Sequence, residues 1–423
     1  MNKALKSLTV LTLISSVAFA GEEAKDLKKK IEDQAIYVET AKPGIVLSGY
    51  VDAGYSYSFT GGGTTAGNTR FGGDRTQTGG RFDVNAVKIA IEKPLSTKNE
   101  FTSGFRVDGM YGNDVANGIT AYGNSGSFGL EQAYVQLRVP AGNGIDIKVG
   151  KFVTILGYEV IERPANMNIT YSNVFNNLIP LVHTGALAAY KFNDIVDVKF
   201  GVVNGGLADG TNNVYGANSS QNAAYIKSNS VGFLGAVNLT APGGNANVQN
   251  AAYFGVNTTG VNSGLPAGQN LTNSNQADNL WIYDIVGTWK PKFAGDKLTL
   301  GAEGDLGHFD GAVAGSGNQD STTWGGAAVF AKYQFTKIFS LANRLDWIHS
   351  DDGQKFNGGT RASDVYSETL TASFDIWENT LLRAEYRADF GTNAIVTGAN
   401  NTVGGGSSNG PAHLVDLEVV YSF

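Results

Sequence analysis

The chain ends in "HLVDLEVVYSF" (residues 413–423), and this stretch decides the fold. Every second residue on one face is apolar or aromatic: Val415, Leu417, Val419, Tyr421 and Phe423. The opposite face carries Asp416 and Glu418. Alternation with a period of two predicts a β-strand. An aromatic face that runs to the last residue needs an apolar covering, which is either a second layer of the same protein or lipid.

The other end of the chain predicts export. Residues 1–20, "MNKALKSLTVLTLISSVAFA", combine early lysines, an apolar run and a small-residue cleavage site, as a signal peptide does. The apolar run is too short for a membrane-spanning helix. Residues 21–42 place apolar side chains at helical spacing among dense charges and predict a short periplasmic helical segment. The remaining domain is expected over residues 43–423.

Composition excludes several classes of protein. The formal net charge is −7, which argues against nucleic acid as a partner. The absence of cysteine means that disulfides do not stabilise this exported chain. The mean hydropathy of −0.13 is typical of a soluble protein. Membrane barrels give similar averages, because lipid-facing residues alternate with polar residues that face the lumen.

Segments with period two recur along the chain, and their connections alternate in length. The first, "IVLSGYVDAGYSYSF" (residues 45–59), is long enough to cross a bilayer, and about 16 such segments follow one another. Short turns such as 140–144 and 336–337 alternate with long polar loops such as 60–80 and 204–228. This pattern predicts an all-β fold, a transmembrane antiparallel β-barrel in a Gram-negative type of outer membrane.

Aromatic residues near the strand ends predict two girdles at the membrane interfaces, in contact with outer-membrane lipid. Phe423 would then close the last strand at the periplasmic interface. Tyr421 and Phe423 also resemble the C-terminal signal that the outer-membrane barrel assembly machinery recognises.

A short charged motif repeats on the opposite face of three strands. "FRVDG", "NRLDW" and "YRADF" contribute the pairs Arg106 and Asp108, Arg344 and Asp346, and Arg387 and Asp389. The last pair extends into a ladder with Arg383 and Glu385 on the same face of the strand. Lys148 falls on the corresponding face of its own strand. These side chains must face a wet lumen, because Arg at mid-bilayer costs roughly 2–4 kcal/mol. Two interpretations stay open: a structural ion-pair network on the wall, or a role in selectivity.

The third long loop has a different composition from the others. Residues 153–185, "VTILGYEVIERPANMNITYSNVFNNLIPLVHTG", are rich in apolar side chains and carry Glu159, Glu162 and Arg163. The loop resembles the one that folds into general porins of this strand count and narrows them. Packing on a neighbouring subunit is the alternative. Folded inward, the two glutamates would lie in the narrowest part of the pore and would favour cations. They would lie opposite wall cations such as Arg106, Lys148 and Arg387.

Several stretches carry a resemblance to a known family. "SGYVDAGYSYSF", "RFDVNAVKIAIEKP", "GFRVDGMYGND" and "EQAYVQLRVPAGNGIDIKVGKF" resemble the OmpL-like β-barrel porin family. The resemblance implies a porin-like barrel with no defined substrate.

The expected function is a water-filled channel for passive diffusion of small hydrophilic solutes and ions. A homotrimer is usual for barrels of this strand count. One alternative is a substrate-selective channel lined by Tyr50, Tyr134 and Tyr253; another is an adhesin or structural barrel with a blocked lumen. We find no G-x-S-x-G, H-E-x-x-H or P-loop motif, so the sequence predicts no catalytic residue, no metal and no cofactor.

Overall fold

The computed structural model describes eight ranges of the chain: residues 44–59, 79–116, 128–205, 231–256, 279–309, 321–351, 363–391 and 412–423. The strands in these ranges are β1 (Val46–Ser58), β2 (Gly79–Lys93), β3 (Thr102–Tyr111), β4 (Phe128–Val139), β5 (Ile145–Val153), β6 (Val182–Lys191), β7 (Val196–Asn204), β8 (Val231–Thr240), β9 (Ala246–Val256), β10 (Leu280–Trp289), β11 (Leu298–Phe309), β12 (Thr322–Gln334), β13 (Phe339–Ser350), β14 (Ser363–Trp377), β15 (Thr380–Gly391) and β16 (Ala412–Ser422). The predicted signal peptide and helical segment lie outside the described residues. Among the described helices, none is long and apolar enough to cross a membrane.

Each strand pairs antiparallel with the next, and β16 pairs with β1, so the sheet closes into a barrel. The last residue takes part in this closure. The Phe423 N–H donates to the Gly49 carbonyl at 3.0 Å, and the Gly49 N–H donates to the Phe423 carbonyl at 2.9 Å. Closure satisfies the backbone groups that an open sheet edge would expose to lipid. The prediction of a sixteen-stranded antiparallel barrel is therefore confirmed.

The two faces of the wall differ as the alternation predicts. In β16, Leu417, Val419 and Tyr421 are 47%, 44% and 50% exposed on the outer face. Asp416 and Glu418 point to the lumen and are buried. Outward apolar side chains recur on strands around the barrel, which gives an outer surface suited to lipid.

The connections alternate in length around the barrel. The turns after even-numbered strands, from β2 to β14, have two to eight residues. Aromatic side chains gather at one of these turns: Phe335 and Phe339 stack at 5.5 Å between ring centres, and Phe339 stacks on Phe374 at 5.1 Å. This end of the barrel has the short turns that bacterial barrels place on the periplasmic side.

The connection between β5 and β6, residues 154–181, is called loop L3 here. It contains the short helix α2 (Asn173–Asn177), whose first turn is capped by Ser172; the shorter α1 (Asn113–Ala116) precedes β4. Loop L3 buries the apolar residues Ile155, Leu156, Ile161, Ala165, Ile169, Tyr171, Val174, Phe175, Leu178, Ile179 and Leu181. All of them except Ala165 and Ile169 form one cluster with lumen-facing residues of the wall, so loop L3 folds into the barrel of its own chain. Packing on a neighbouring subunit is not the arrangement that the loop adopts.

Candidate functional site

Arginines of β13 and β15 hold the backbone of loop L3. Arg344 donates to the Thr170 carbonyl, and Arg387 donates to the Tyr171 carbonyl at 2.6 Å. Arg383 donates to three further L3 carbonyls at 3.0, 3.2 and 3.1 Å. All three guanidinium groups are buried. Because a guanidinium carries five donors, each can bind the loop and a neighbouring carboxylate together.

Carboxylates on the same strands bind the amides of loop L3. Glu385 accepts from the Ile169 and Thr170 N–H groups at 2.5 and 3.0 Å. Asp346 accepts from the Asn173 N–H at 3.0 Å. Arg344, Asp346, Arg383, Glu385, Arg387 and Asp389 are together called the charged ladder. Within it, the three arginines bind carbonyl groups of the loop, whereas Glu385 and Asp346 bind its amide groups.

The two glutamates of loop L3 are paired with wall cations. Glu159 lies 2.9 Å from Arg344, and Glu162 lies 2.6 Å from Lys88. Burial raises the pKa of Glu159 above its ordinary value, because lost hydration outweighs the attraction of Arg344. Burial also acts to raise the pKa of Glu162, but the charge and hydrogen bond of Lys88 lower it overall.

These are not the wall cations that the sequence predicted opposite the two glutamates. Arg106 instead pairs with Asp108 at 2.8 Å and Glu92 at 3.2 Å on the wall, and makes no salt bridge with a described L3 residue. Arg387 pairs with Asp389 at 2.8 Å. Lys148 makes no salt bridge with any described residue.

Arg163 of loop L3 is also buried in an ion pair. It binds Asp114 of α1 at 2.5 Å and donates to the Ile169 carbonyl at 2.8 Å. Asp52 of β1 lies 3.8 Å from it. Arg163 therefore fastens the middle of the loop to the wall.

Lys88 of β2 is a lumen residue that the sequence reasoning missed. Its ammonium nitrogen lies 2.6 Å from Glu162, 2.8 Å from Glu131 and 3.2 Å from Asp108. The alternation of "NAVKIAIEK" on β2 could have placed Lys88 on the inner face. Its three carboxylate partners come from distant parts of the chain, and no local pattern indicates them.

Two glycines of the wall make room for loop L3. A Cβ atom at Gly301 of β11 would lie 2.4 Å from the Tyr158 ring, and one at Gly326 of β12 would lie 2.5 Å from Leu178. The Tyr158 ring stacks on Phe330 at 4.3 Å between centres. The loop therefore packs directly on β11 and β12.

On the other side, a cavity of about 140 Å³ separates loop L3 from the wall formed by β4 to β7. Most of its lining is apolar and includes Leu187 and Ala189 of the wall and Ile155, Leu156 and Val160 of the loop. Its polar lining residues include Gln136, Asp146, Lys148 and Lys199 of the wall and Glu159 and Glu162 of the loop. The Lys148 ammonium lies 4.7 Å from the centre of the Tyr134 ring. Among the described residues, neither Lys148 nor Lys199 forms a salt bridge.

The three tyrosines proposed as a solute-binding file are not displayed to the lumen. Tyr50, Tyr134 and Tyr253 are only 2%, 7% and 1% exposed. Tyr253 stacks on His183 at 5.7 Å. Their rings pack against protein, which does not favour the substrate-selective alternative based on them.

A closed sixteen-stranded barrel with an apolar outer face, a charged lumen and an inward loop defines a porin-type channel protein of the outer membrane. The chain belongs to the family described as putative beta-barrel porin-2, OmpL-like, whose model matches residues 44–423. This family and fold are typically non-enzymatic. No curated protein matches the chain.

Solved porins share the fold at low sequence identity. The anion-selective porin from Comamonas acidovorans is 11% identical, with a TM-score of 0.58 over 90% of this chain and 99% of that one. The outer-membrane channel DcaP of Acinetobacter baumannii is 12% identical, with a TM-score of 0.56 over 92% and 100%. The trimer form of in-vitro folded OmpT from Vibrio cholerae is 11% identical, with a TM-score of 0.55 over 90% and 99%.

Proposed function

We propose that the protein forms a narrow, water-filled channel for passive diffusion of small hydrophilic solutes and ions across the outer membrane. The observation that carries this proposal is the cavity between loop L3 and the wall of β4 to β7, whose lining is mainly apolar but includes Lys148 and Lys199. The charged ladder binds the loop to the opposite wall, which leaves the passage on this side. Solutes would pass along Lys148 and Lys199.

The charges around this passage favour anions. Glu159 and Glu162 are paired with Arg344 and Lys88, so they contribute little net charge. Lys148 and Lys199 have no carboxylate within salt-bridge distance among the described residues and leave a positive field at the cavity. A narrow passage strengthens such a field, because water and salt screen it less. This proposal replaces the cation preference that the sequence predicted.

Planar-bilayer recordings test both points. We expect ohmic single-channel steps, and a reversal potential in a KCl gradient that indicates preference for chloride. The double variant Lys148→Glu with Lys199→Glu should reverse the sign of that potential. Lys98→Glu, at an exposed turn between β2 and β3, is the matched control and should leave it unchanged. Equal reversal potentials in all three proteins would refute the proposed passage.

A structural barrel with a blocked lumen is the second candidate. The apolar cluster that joins loop L3 to the wall favours it, because dry packing inside a lumen obstructs water. Wild-type protein without channel steps, together with steps in a variant that releases the loop, would support this candidate over a diffusion channel. Steps that one solute blocks would support a substrate-selective channel.

We also propose a homotrimer, because a solved neighbour of the same fold is described in a trimer form. Cross-linking of the folded protein in detergent, followed by mass analysis, would detect it. Export by residues 1–20, and recognition of Tyr421 and Phe423 by the barrel assembly machinery, remain predictions.

A further inference from the structure

Three carboxylates meet inside the barrel on β10 and β11. Asp284 lies directly opposite Asp305 in the strand register, and Glu303 is two residues from Asp305 on the same face. One oxygen from each lies within 4.8 Å of the others. The three residues are 0%, 6% and 4% exposed, respectively. We call this group the acidic cluster.

The oxygens of the acidic cluster have few partners. None of the six accepts a hydrogen bond of good geometry from a described residue. The backbone of Gly157 and Tyr158 lies beside Asp284 and Glu303, and the Asp284 and Asp305 carboxyl groups lie within hydrogen-bonding reach of each other. The other charged groups that act on Glu303 are Glu159 and Asp346, which are also acidic. Buried carboxylates with few hydrogen bonds and no cation are strongly unfavourable when charged, so the cluster must be neutralised by protons or by a bound cation.

The barrel contains a second group of three carboxylates that serves as an internal comparison. Asp108, Glu131 and Glu162 are similarly close and similarly buried. There the Lys88 ammonium lies within 3.2 Å of all three. No lysine or arginine of the described chain makes a salt bridge with the acidic cluster. A cation that neutralises the acidic cluster would therefore have to come from solution.

We propose that the acidic cluster binds one divalent cation, Ca²⁺. Its ligands are carboxylate oxygens only, which favours a hard cation over Zn²⁺ or copper. Ca²⁺ accepts carboxylate oxygens in a flexible geometry, whereas Mg²⁺ demands a near-ideal octahedron and keeps several waters. Three buried carboxylates fixed by two neighbouring strands suit the less demanding ion better.

Such an ion would fasten the beginning of loop L3. Gly157 has φ +94°, and a Cβ atom there would lie 3.4 Å from a Glu303 oxygen and 2.4 Å from Ile179. The loop therefore approaches the cluster at a position where a side chain fits poorly. Ca²⁺ would hold this end of the loop against β10 and β11, whereas the charged ladder holds its middle against β13 and β15.

Equilibrium dialysis of the folded, full-length barrel in detergent against ⁴⁵Ca²⁺ at pH 8 tests the site. We expect one ion per wild-type chain, and at least tenfold weaker binding after Asp284→Asn or Asp305→Asn. The control is Asp197→Asn, which removes a lumen carboxylate of β7 that binds Asn238 at 2.7 Å. It should bind as wild type does. No stoichiometric binding by wild type, or unchanged binding in the cluster variants, would overturn the proposal.

Heat-modifiability on gels gives an independent readout. We expect Ca²⁺ to raise the unfolding temperature of the wild type and of Asp197→Asn relative to EDTA, and to leave Asp305→Asn unchanged. Protonation is the competing way to neutralise the cluster. In that case the temperature would not respond to Ca²⁺ in any protein, and Asp305→Asn would equal or exceed the wild type in both buffers. This outcome would refute the calcium site.

Discussion

Glu385→Gln should loosen loop L3 without altering the barrel wall. Glu385 accepts two backbone N–H groups of the loop, at Ile169 and Thr170, and two hydroxyl groups, at Thr170 and Thr371. Glutamine has nearly the same shape but no charge. The substitution therefore weakens the hydrogen bonds and leaves the packing in place.

The expected loss follows from the difference between charged and neutral hydrogen bonds. A hydrogen bond to a charged group contributes about 1.5–3 kcal/mol, and a neutral one contributes about 0.5–1.5 kcal/mol. With about 1 kcal/mol lost at each of the two backbone amides, the loop should be less firmly bound by about 2 kcal/mol. The population of the released loop should rise roughly 30-fold.

Thiol labelling can measure this change, because the chain has no cysteine. Val174 of α2 is 0% exposed, and Val174→Cys is a small change of shape that places a single thiol under the docked loop. The labelling rate should rise about 30-fold when Glu385→Gln is added. Glu92→Gln, which disturbs the Arg106 ion pair away from the loop, is the matched control and should not change it. Equal rates in the Glu385→Gln and control backgrounds would refute a ladder that holds the loop.

Three further predictions concern the wall, the seam and the loop. Val329→Arg, on the outer face at 51% exposure, should destabilise the barrel by about 2–4 kcal/mol in a urea titration in lipid, whereas Thr299→Arg on the inner face should be tolerated. Removal of Phe423, which takes two backbone bonds from the β1–β16 seam, should lower the amount of heat-modifiable barrel in membranes while export continues. Gly326→Val should push Leu178 away and change the single-channel conductance, because a Cβ there would lie 2.5 Å from that side chain.

The barrel could be predicted from the sequence because its signals are local. Alternation within a strand such as residues 413–423 decides which side chains face lipid, and short turns such as 336–337 mark the periplasmic end. These features depend on neighbours along the chain and on the bilayer alone. The apolar composition of loop L3 was sufficient in the same way to predict that it packs against something.

The partners inside the lumen could not be predicted, because they depend on the path of loop L3. Thr369 and Thr371 have the parity of lumen residues, but both are completely buried beneath the loop. Glu385 binds a residue 215 positions away, at Thr170. Glu162 forms a salt bridge with Lys88, whereas charge alone had suggested Arg106 as its partner. Charge and parity define the set of candidates, and only the folded path of the loop chooses among them.

The way loop L3 is held explains where a passage can exist. Polar backbone groups of a loop inside a lumen must be satisfied, and water or the wall can do this. At the charged ladder the wall satisfies these groups. Arg344 and Arg387 donate to carbonyls of the loop, and Glu385 accepts from its amides. Apolar packing on β11 and β12 excludes water from the adjoining surface. The side facing β4 to β7 also has apolar contacts, but it keeps a cavity in whose lining Lys148 and Lys199 make no salt bridge with a described residue and need water to solvate their charge. In the proposed channel, the forces that bind the loop to one wall therefore leave the space for water at the other.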